Sequence, residues 1–175
     1  MMKRFLVFCA AALLAFNAAA VETPDALVKR VSEEVLEIVK QDQEIKGGDI
    51  RKITALVDAK VLPHFDFQRM TALAVGRDWR SANAEQKKRL AEEFKTLLVR
   101  TYANAVTSYS NQKLVVKPFK MKAGETEVLV RSEVQQPGTQ PVQLDYWLEL
   151  QGANWKVFDV VVAGISLVTN YREQF

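Results

Sequence analysis

The chain has 175 residues, with 24 Lys and Arg against 21 Asp and Glu, one histidine and one cysteine. That length suits one domain, and a net charge of +3 is too small to mark a nucleic-acid or polyanion binder. With His64 and Cys9 each alone of their kind, the Cys/His spacing of a zinc site is excluded.

The N-terminus reads as an export signal. Met1 to Arg4 supply a basic start, Phe5 to Phe16 an apolar run, and Ala18 and Ala20 small residues at the cleavage positions. This predicts a secretory signal peptide over residues 1–20, cut after Ala20, and a single domain over residues 21–175. A retained anchor needs about 20 apolar residues, and Asn17 and Glu22 interrupt the run. Leu6-Val7-Phe8 before Cys9 lacks the small residues of a lipoprotein box, so Cys9 leaves with the signal. Lys3 and Arg4 leave as well, and the exported chain is nearly neutral. Having no cysteine, it depends on packing rather than on disulfides although its compartment permits them.

Thr23, Pro24 and Asp25 start a first helix, along which Leu27, Val28, Val31, Val35, Ile38 and Val39 recur at three-to-four spacing until Gly47-Gly48. Asp49 caps a second helix carrying Ile50, Ile53, Leu56, Val57 and Val61, and Pro63 is expected to end it by disfavouring helical geometry at Leu62. Asp66 caps a short third helix bearing Phe67, Met70, Leu73 and Ala74, with Gly76 suited to a left-handed terminus. Asn83 and Gln86 form a capping box, after which Leu90, Phe94, Leu97, Leu98, Tyr102, Ala105, Val106 and Tyr109 make one stripe of a fourth helix.

From Lys113 the period changes to two. Segments near 113–119, 125–135, 141–151 and 154–163 are separated by Ala123-Gly124, Pro137-Gly138 and Gly152-Ala153-Asn154. Helices first and a meander second predict an α+β fold, with the N-terminal helices packed on one face of a twisted, mainly antiparallel sheet of four to five strands. Val142, Leu144, Tyr146, Leu148 and Leu150 share one face of a strand, Val128, Val130 and Val134 do so on the strand before it, and Phe158, Val160 and Val162 alternate with Val157 and Val161. Taken alone, such a pattern describes an ordinary core. Period and composition do not say whether the apolar layers meet or stand apart around a ligand.

Groups that carry chemistry are sparse. Gly164-Ile165-Ser166-Leu167-Val168 lacks the second glycine of a nucleophile elbow, and no histidine lies near Ser166 in sequence. Asp145 and Asp159, on predicted strands near tyrosines, are candidates for proton abstraction, against the plainer reading of solvated strand residues or turn anchors. Lys87-Lys88-Arg89 lacks interleaved aromatics and reads as a solvated helix face, with contact to lipid phosphates or an acidic partner as the other reading. An exported protein rarely meets nucleic acid, and none is expected as a partner.

Several blocks of sequence have a familiar form. Val61-Leu62-Pro63-His64-Phe65-Asp66-Phe67-Gln68-Arg69-Met70 followed by Gly76-Arg77-Asp78-Trp79-Arg80, Phe94-Lys95-Thr96-Leu97-Leu98-Val99-Arg100-Thr101-Tyr102, Trp155-Lys156-Val157-Phe158-Asp159-Val160 and Gly164-Ile165-Ser166-Leu167-Val168-Thr169-Asn170-Tyr171-Arg172 resemble, in register, the MlaC or toluene-tolerance family of periplasmic phospholipid-binding proteins. The resemblance implies a fold related to nuclear-transport-factor-like and cystatin-like sheets, with a deep apolar pocket between helices and sheet. It implies a carrier of diacyl phospholipid between an outer-membrane lipoprotein-porin complex and an inner-membrane ATP-binding-cassette transporter, helping maintain outer-membrane lipid asymmetry. No cofactor is implied. Family members usually continue with more helix past the Asn-Tyr-Arg block, whereas this chain has Phe175 as its last residue.

Physics asks the same of a carrier. At about 0.8 kcal/mol per methylene, an acyl chain of roughly sixteen carbons costs on the order of 12 kcal/mol to expose to water. A carrier must replace that water with apolar side chains and needs no catalytic group. Val128, Val130, Leu144, Tyr146 and Leu148 on strands, with Leu73, Phe94, Leu97 and Leu98 on helices, are the candidate acyl contacts, ordinary core being the competing reading. Trp79 and Trp155 are expected as structural wedges, since a buried indole needs a hydrogen-bond partner. Arg80, Lys87 and Lys88 are candidates for headgroup or partner contacts. Two other readings stand beside the carrier: a small-substrate acid-base enzyme using Asp145 or Asp159, and an adaptor that binds protein and no ligand.

Overall fold

The computed structural model describes residues 21–107 and 112–175. The expected signal peptide with Cys9, and Tyr109 of the expected stripe, lie outside the described residues, as do the side chains of Ala105 and Val106. Helix α1 (Pro24–Gln41) opens behind Thr23, whose side chain makes no capping bond, so Pro24 at the first position defines the start. It stops earlier than expected. Asp42 turns extended and its carboxylate accepts from the amides of Glu44 and Ile45, at 2.9 and 3.1 Å, which starts a separate turn, α2 (Gln43–Lys46).

Asp49 caps α3 (Ile50–Leu56) through the amides of Arg51 and Lys52. The expected break at Leu62 does not occur: Leu62 keeps helical angles, φ −54° and ψ −36°. The chain continues through a π turn (Val57–Val61) and a 3₁₀ turn (Leu62–His64), and becomes extended only at Phe65. Pro63 falls in the first turn of that 3₁₀ segment, where its missing N–H and fixed φ cost little. Asp66 caps α4 (Phe67–Val75) through the amide of Arg69 at 2.8 Å. Gly76 takes a positive φ of 70° but with ψ −125°, outside the left-handed helical region, and leads into a 3₁₀ turn (Gly76–Arg80). A Cβ there would lie 3.5 Å from Nε of Arg172. The capping box at α5 (Ala84–Thr107) is reciprocal, with both Asn83–Gln86 bonds at 2.9 Å.

The strands are β1 (Lys113–Val116), β2 (Glu127–Val130), β3 (Ser132–Gln135), β4 (Val142–Gln151), β5 (Asn154–Val162) and β6 (Ile165–Ser166), followed by α6 (Leu167–Gln174). They form one antiparallel sheet in the order β1-β3-β4-β5-β6, with β2 also on β4. The count of six exceeds the expected four to five. Arg131 divides segment 125–135 into two strands that meet different halves of β4, Val128 opposite Leu148 and Val134 opposite Val142, while β6 adds a two-residue edge.

A bulge decides which residues share a face. Trp147 pairs with Asp159 but Leu148 pairs with Val157, so β5 carries one extra residue at Phe158. Phe158 is thereby turned away from Val160 and Val162, with which strict alternation grouped it. Val157 and Val160 join Val128, Val130, Leu148 and Trp155 against Leu27 and Val28 of α1. Phe158 joins Met70, Ala74, Phe94, Leu98, Val168 and Tyr171 of α4, α5 and α6 on the other side. The helices therefore cover both faces of the sheet, where the sequence order suggested one. A third cluster, Val39, Ile45, Ile53 and Leu56, ties the end of α1 through α2 and α3 to α5.

Candidate functional site

The two sides of the sheet are filled differently. Between α1 and the sheet lies a cavity of about 480 Å³, within the range of small-molecule sites. One wall is α1, through Leu27, Val28, Val31, Ser32, Val35, Leu36 and Val39. The opposite wall is Leu114 of β1, Val134 of β3, Val142, Leu144 and Tyr146 of β4, and Val157 and Val162 of β5, with Val61, Phe65, Tyr102 and Gln112 at the sides. These residues converge because β4 alternates at period two while α1 presents one stripe at period 3.6. Among the described residues no Asp, Glu, Lys, Arg or His lines the cavity.

Burial gives the cavity a direction. Leu27, Val28 and Val157 are only 5%, 4% and 3% exposed, whereas Tyr102 and Val142 are 36% and 46% exposed. The N-terminal end of α1 thus forms a closed floor, backed by Val128, Leu148 and Trp155; Val39, at the other end of the α1 wall, is sealed as well at 1% exposure, and the opening lies by Tyr102 and Val142. Partway along, the Tyr146 phenol bonds the Ser32 side chain, and burial pushes its pKa up to about 12. It therefore stays neutral at any physiological pH. At the open end Gln112 donates from Nε2 to Oε1 of Gln136 at 3.1 Å, and burial likewise raises the phenol of Tyr102.

Of the residues proposed from sequence, Leu144 and Tyr146 line the cavity. Val128, Val130 and Leu148 share their face but belong to the packed cluster beneath the floor, with Val130 and Leu148 at 0% exposure. Leu73, Phe94 and Leu98 pack on the opposite side of the sheet, and Leu97 stands at the surface. None of the other lining residues, on α1, on the sheet or at the sides, is among the contacts proposed from sequence. The signal for α1 was its long apolar stripe, which sequence reading assigned to core; nothing local marks Val61 or Phe65.

The acids are structural on this geometry. Asp145 is buried and accepts from the Ser132 amide at 3.0 Å and from the Gln143 amide group. Asp159, also buried, accepts from the Ser166 hydroxyl at 2.5 Å and the Val168 amide at 3.2 Å, joining β5 to α6. Both are turn anchors, neither is solvated and neither lines the cavity. Ser166 caps α6 by accepting from the Thr169 amide. Trp155 is buried as a wedge, while Trp79 is half-buried with the Lys87 ammonium 5.7 Å from its ring centre. Arg80, Lys87 and Lys88 do not line the cavity. Arg69 has a structural role that sequence reading missed: it pairs with Glu127 and Glu149 and lies 3.5 Å over the Phe158 ring, holding α4 on the bulged sheet. Among the described residues no cluster of three or more His, Cys, Asp or Glu could hold a metal.

A family model described as MlaC protein matches residues 29–175. The chain belongs to the MlaC family. Among curated MlaC-family relatives, the intermembrane phospholipid transport system binding protein MlaC of Haemophilus influenzae is 27% identical over 93% of this chain and 78% of its own length. The toluene tolerance protein ttg2D of Pseudomonas putida is 30% identical over 99% of this chain and 80% of its own. In structure, the chain matches a phospholipid-binding protein of Ralstonia solanacearum, solved in complex with a phospholipid, with a TM-score of 0.82 and 42% identity over 86% of this chain and 84% of that one. The α+β fold expected of the family is the fold observed.

Proposed function

We propose that this protein carries phospholipid, holding the acyl chains in the cavity between α1 and the sheet and leaving the headgroup at the open end by Tyr102 and Val142. The observation that carries this reading is the apolar cavity, which among the described residues has no charged lining side chain and in which the polar Ser32 and Tyr146 are bonded to each other. Such a surface rewards an apolar occupant by roughly 25 cal/mol for each Å² withdrawn from water. The relatives named for intermembrane phospholipid transport, and a structural neighbour holding a phospholipid, support the same ligand. Leu144 and Tyr146 are acyl contacts in this reading, joined by Val31, Val35, Leu114 and Phe65.

The carrier acts without catalysis. The two buried acids are engaged in backbone and side-chain anchoring away from the cavity, so neither stands at the ligand. Export follows from residues 1–20 acting as a cleaved signal, and the mass of the exported protein should correspond to a chain beginning at Val21. In the periplasm it shuttles lipid between an outer-membrane lipoprotein-porin complex and an inner-membrane ATP-binding-cassette transporter, and so helps keep phospholipid out of the outer leaflet. Among the described residues no helix is long and apolar enough to cross a membrane. Organic extraction and mass spectrometry of protein purified from the periplasm without detergent should find diacyl phospholipid near one molecule per chain. Folded protein that repeatedly carries none removes the carrier reading.

A further inference from the structure

The cavity is closed at its Leu27 end and open beside Tyr102 and Val142. Its floor, Leu27, Val28 and Val157, is at most 5% exposed and is backed by tightly packed side chains, whereas Val142 at the opening is 46% exposed. The lining on α1 runs from Leu27 to Val39, a distance of about 18 Å at 1.5 Å per helical residue. A bilayer's hydrocarbon core is about 30 Å thick, so the acyl chains of one leaflet reach about 15 Å. The length of this wall, closed by Leu27 at one end and by Val39, 1% exposed, at the other, is therefore the same size as a membrane acyl chain.

From this match we infer that the floor at Leu27 limits acyl-chain length, so that the protein discriminates among phospholipids by the length of the chain it buries; the inference rests on the carrier reading. A chain that reaches the floor with its headgroup at the open end is fully withdrawn from water. A longer one must leave methylenes exposed that the bilayer had covered, and each weakens transfer from bilayer to protein about fourfold, which is 0.8 kcal/mol converted at room temperature. The floor cannot yield cheaply, because Val128, Leu148 and Trp155 behind Leu27 are already close-packed.

Leu27→Ala deletes three carbons from the floor and opens space for about two more methylenes of ligand. Val31→Phe acts in the opposite sense: Val31 lies one turn further along α1, is half-buried and borders the void, so the larger ring enters the cavity rather than the core. Each protein is stripped of lipid, reloaded from vesicles of phosphatidylethanolamines whose chains run from laurate to arachidate, and its bound lipid is extracted for mass spectrometry. Expected is a steep fall in occupancy beyond a limiting length in the wild type, later by about two carbons in Leu27→Ala and earlier in Val31→Phe. Identical length profiles in wild type and Val31→Phe, both folded and loaded, overturn the length limit and leave the carrier intact. Absence of lipid from the folded wild type overturns the carrier reading and the length limit with it. If Leu27→Ala does not fold, Val31→Phe decides alone.

Discussion

The two faces of the sheet carry similar apolar side chains and do different things with them. On the side of α4, α5 and α6, aromatic rings close the space: Phe94 meets Tyr171 edge-on with centroids 5.3 Å apart, Phe175 lies 5.8 Å from Tyr171, and Trp147 sits 6.4 Å from Phe158. On the side of α1, the layers meet at the floor but stand apart above it, where Val31, Val35, Leu114, Val134 and Leu144 border open space. Branched aliphatic residues on both walls are too short to bridge the gap there. Two apolar layers that stand apart, lined by side chains too short to meet, make a ligand site out of what would otherwise be core.

The comparison can be broken most forcefully on the filled side. Phe94 is 3% exposed, and Phe94→Ala should cost about 3 to 5 kcal/mol of stability by opening a void among rings that cannot collapse into it. Urea denaturation measures this. Protein that remains folded should keep its lipid, because the void lies across the sheet from the cavity. A Phe94→Ala protein of unchanged stability that loses its lipid would reverse the assignment of the two faces.

The open side should respond in the opposite pattern. Leu144 borders the cavity, and Leu144→Glu places an unpaired carboxylate against acyl chains, where desolvation is costly. Lipid occupancy should collapse. In the emptied cavity water can reach the new carboxylate, so the stability loss should stay near 1 to 3 kcal/mol. Melting temperature and extracted lipid, measured together, check it: outright unfolding makes Leu144 core, and full lipid removes it from the site.

Much of this architecture was legible in the sequence, for reasons that are local. Asp49, Asp66 and the Asn83–Gln86 box announce helix starts because capping uses side chains within three residues. The period-two runs locate strands because the pleat is a property of each strand alone. What was not legible depends on partners distant in sequence. The bulge that turns Phe158 away from Val160 exists only in the register of β5 against β4. The cavity depends on how far α1 stands from strands about a hundred residues away, and no residue type in α1 states that distance. For the same reason Leu144 and Leu148, on one face of one strand, were placed together although one lines the void and the other is sealed beneath it.

The smallest expected effect reads the junction between the two sides. Phe65 touches both packed clusters, and beside it His64 is half-buried with its pKa lowered, first by burial and then by the charges of Arg30 on α1 and Lys156 on β5, against the opposing pull of Glu22 and Glu34. The Lys156 ammonium also donates to the Pro63 carbonyl, so the turn is held to the sheet. In the unfolded chain His64 titrates near the ordinary 6.5. Below that pH the unfolded state takes up the proton first, so the contribution of neutral His64 is present above about pH 6.5 and is lost as pH falls through the lowered folded value. Melting temperature should therefore decline by at most a few °C from this source between neutral and mildly acid pH, and His64→Gln should flatten that part of the profile. The imidazole also senses whether α1 stays docked. If Arg30 moves off with α1 when the cavity opens, burial and repulsion both ease and the His64 pKa rises toward 6.5. Titration of the His64 ring by NMR in lipid-loaded and lipid-free protein separates the cases: equal values mean that α1 holds its place in both, and a higher value in the empty protein means that the α1 side opens while the side built on Phe94 and Tyr171 stays shut.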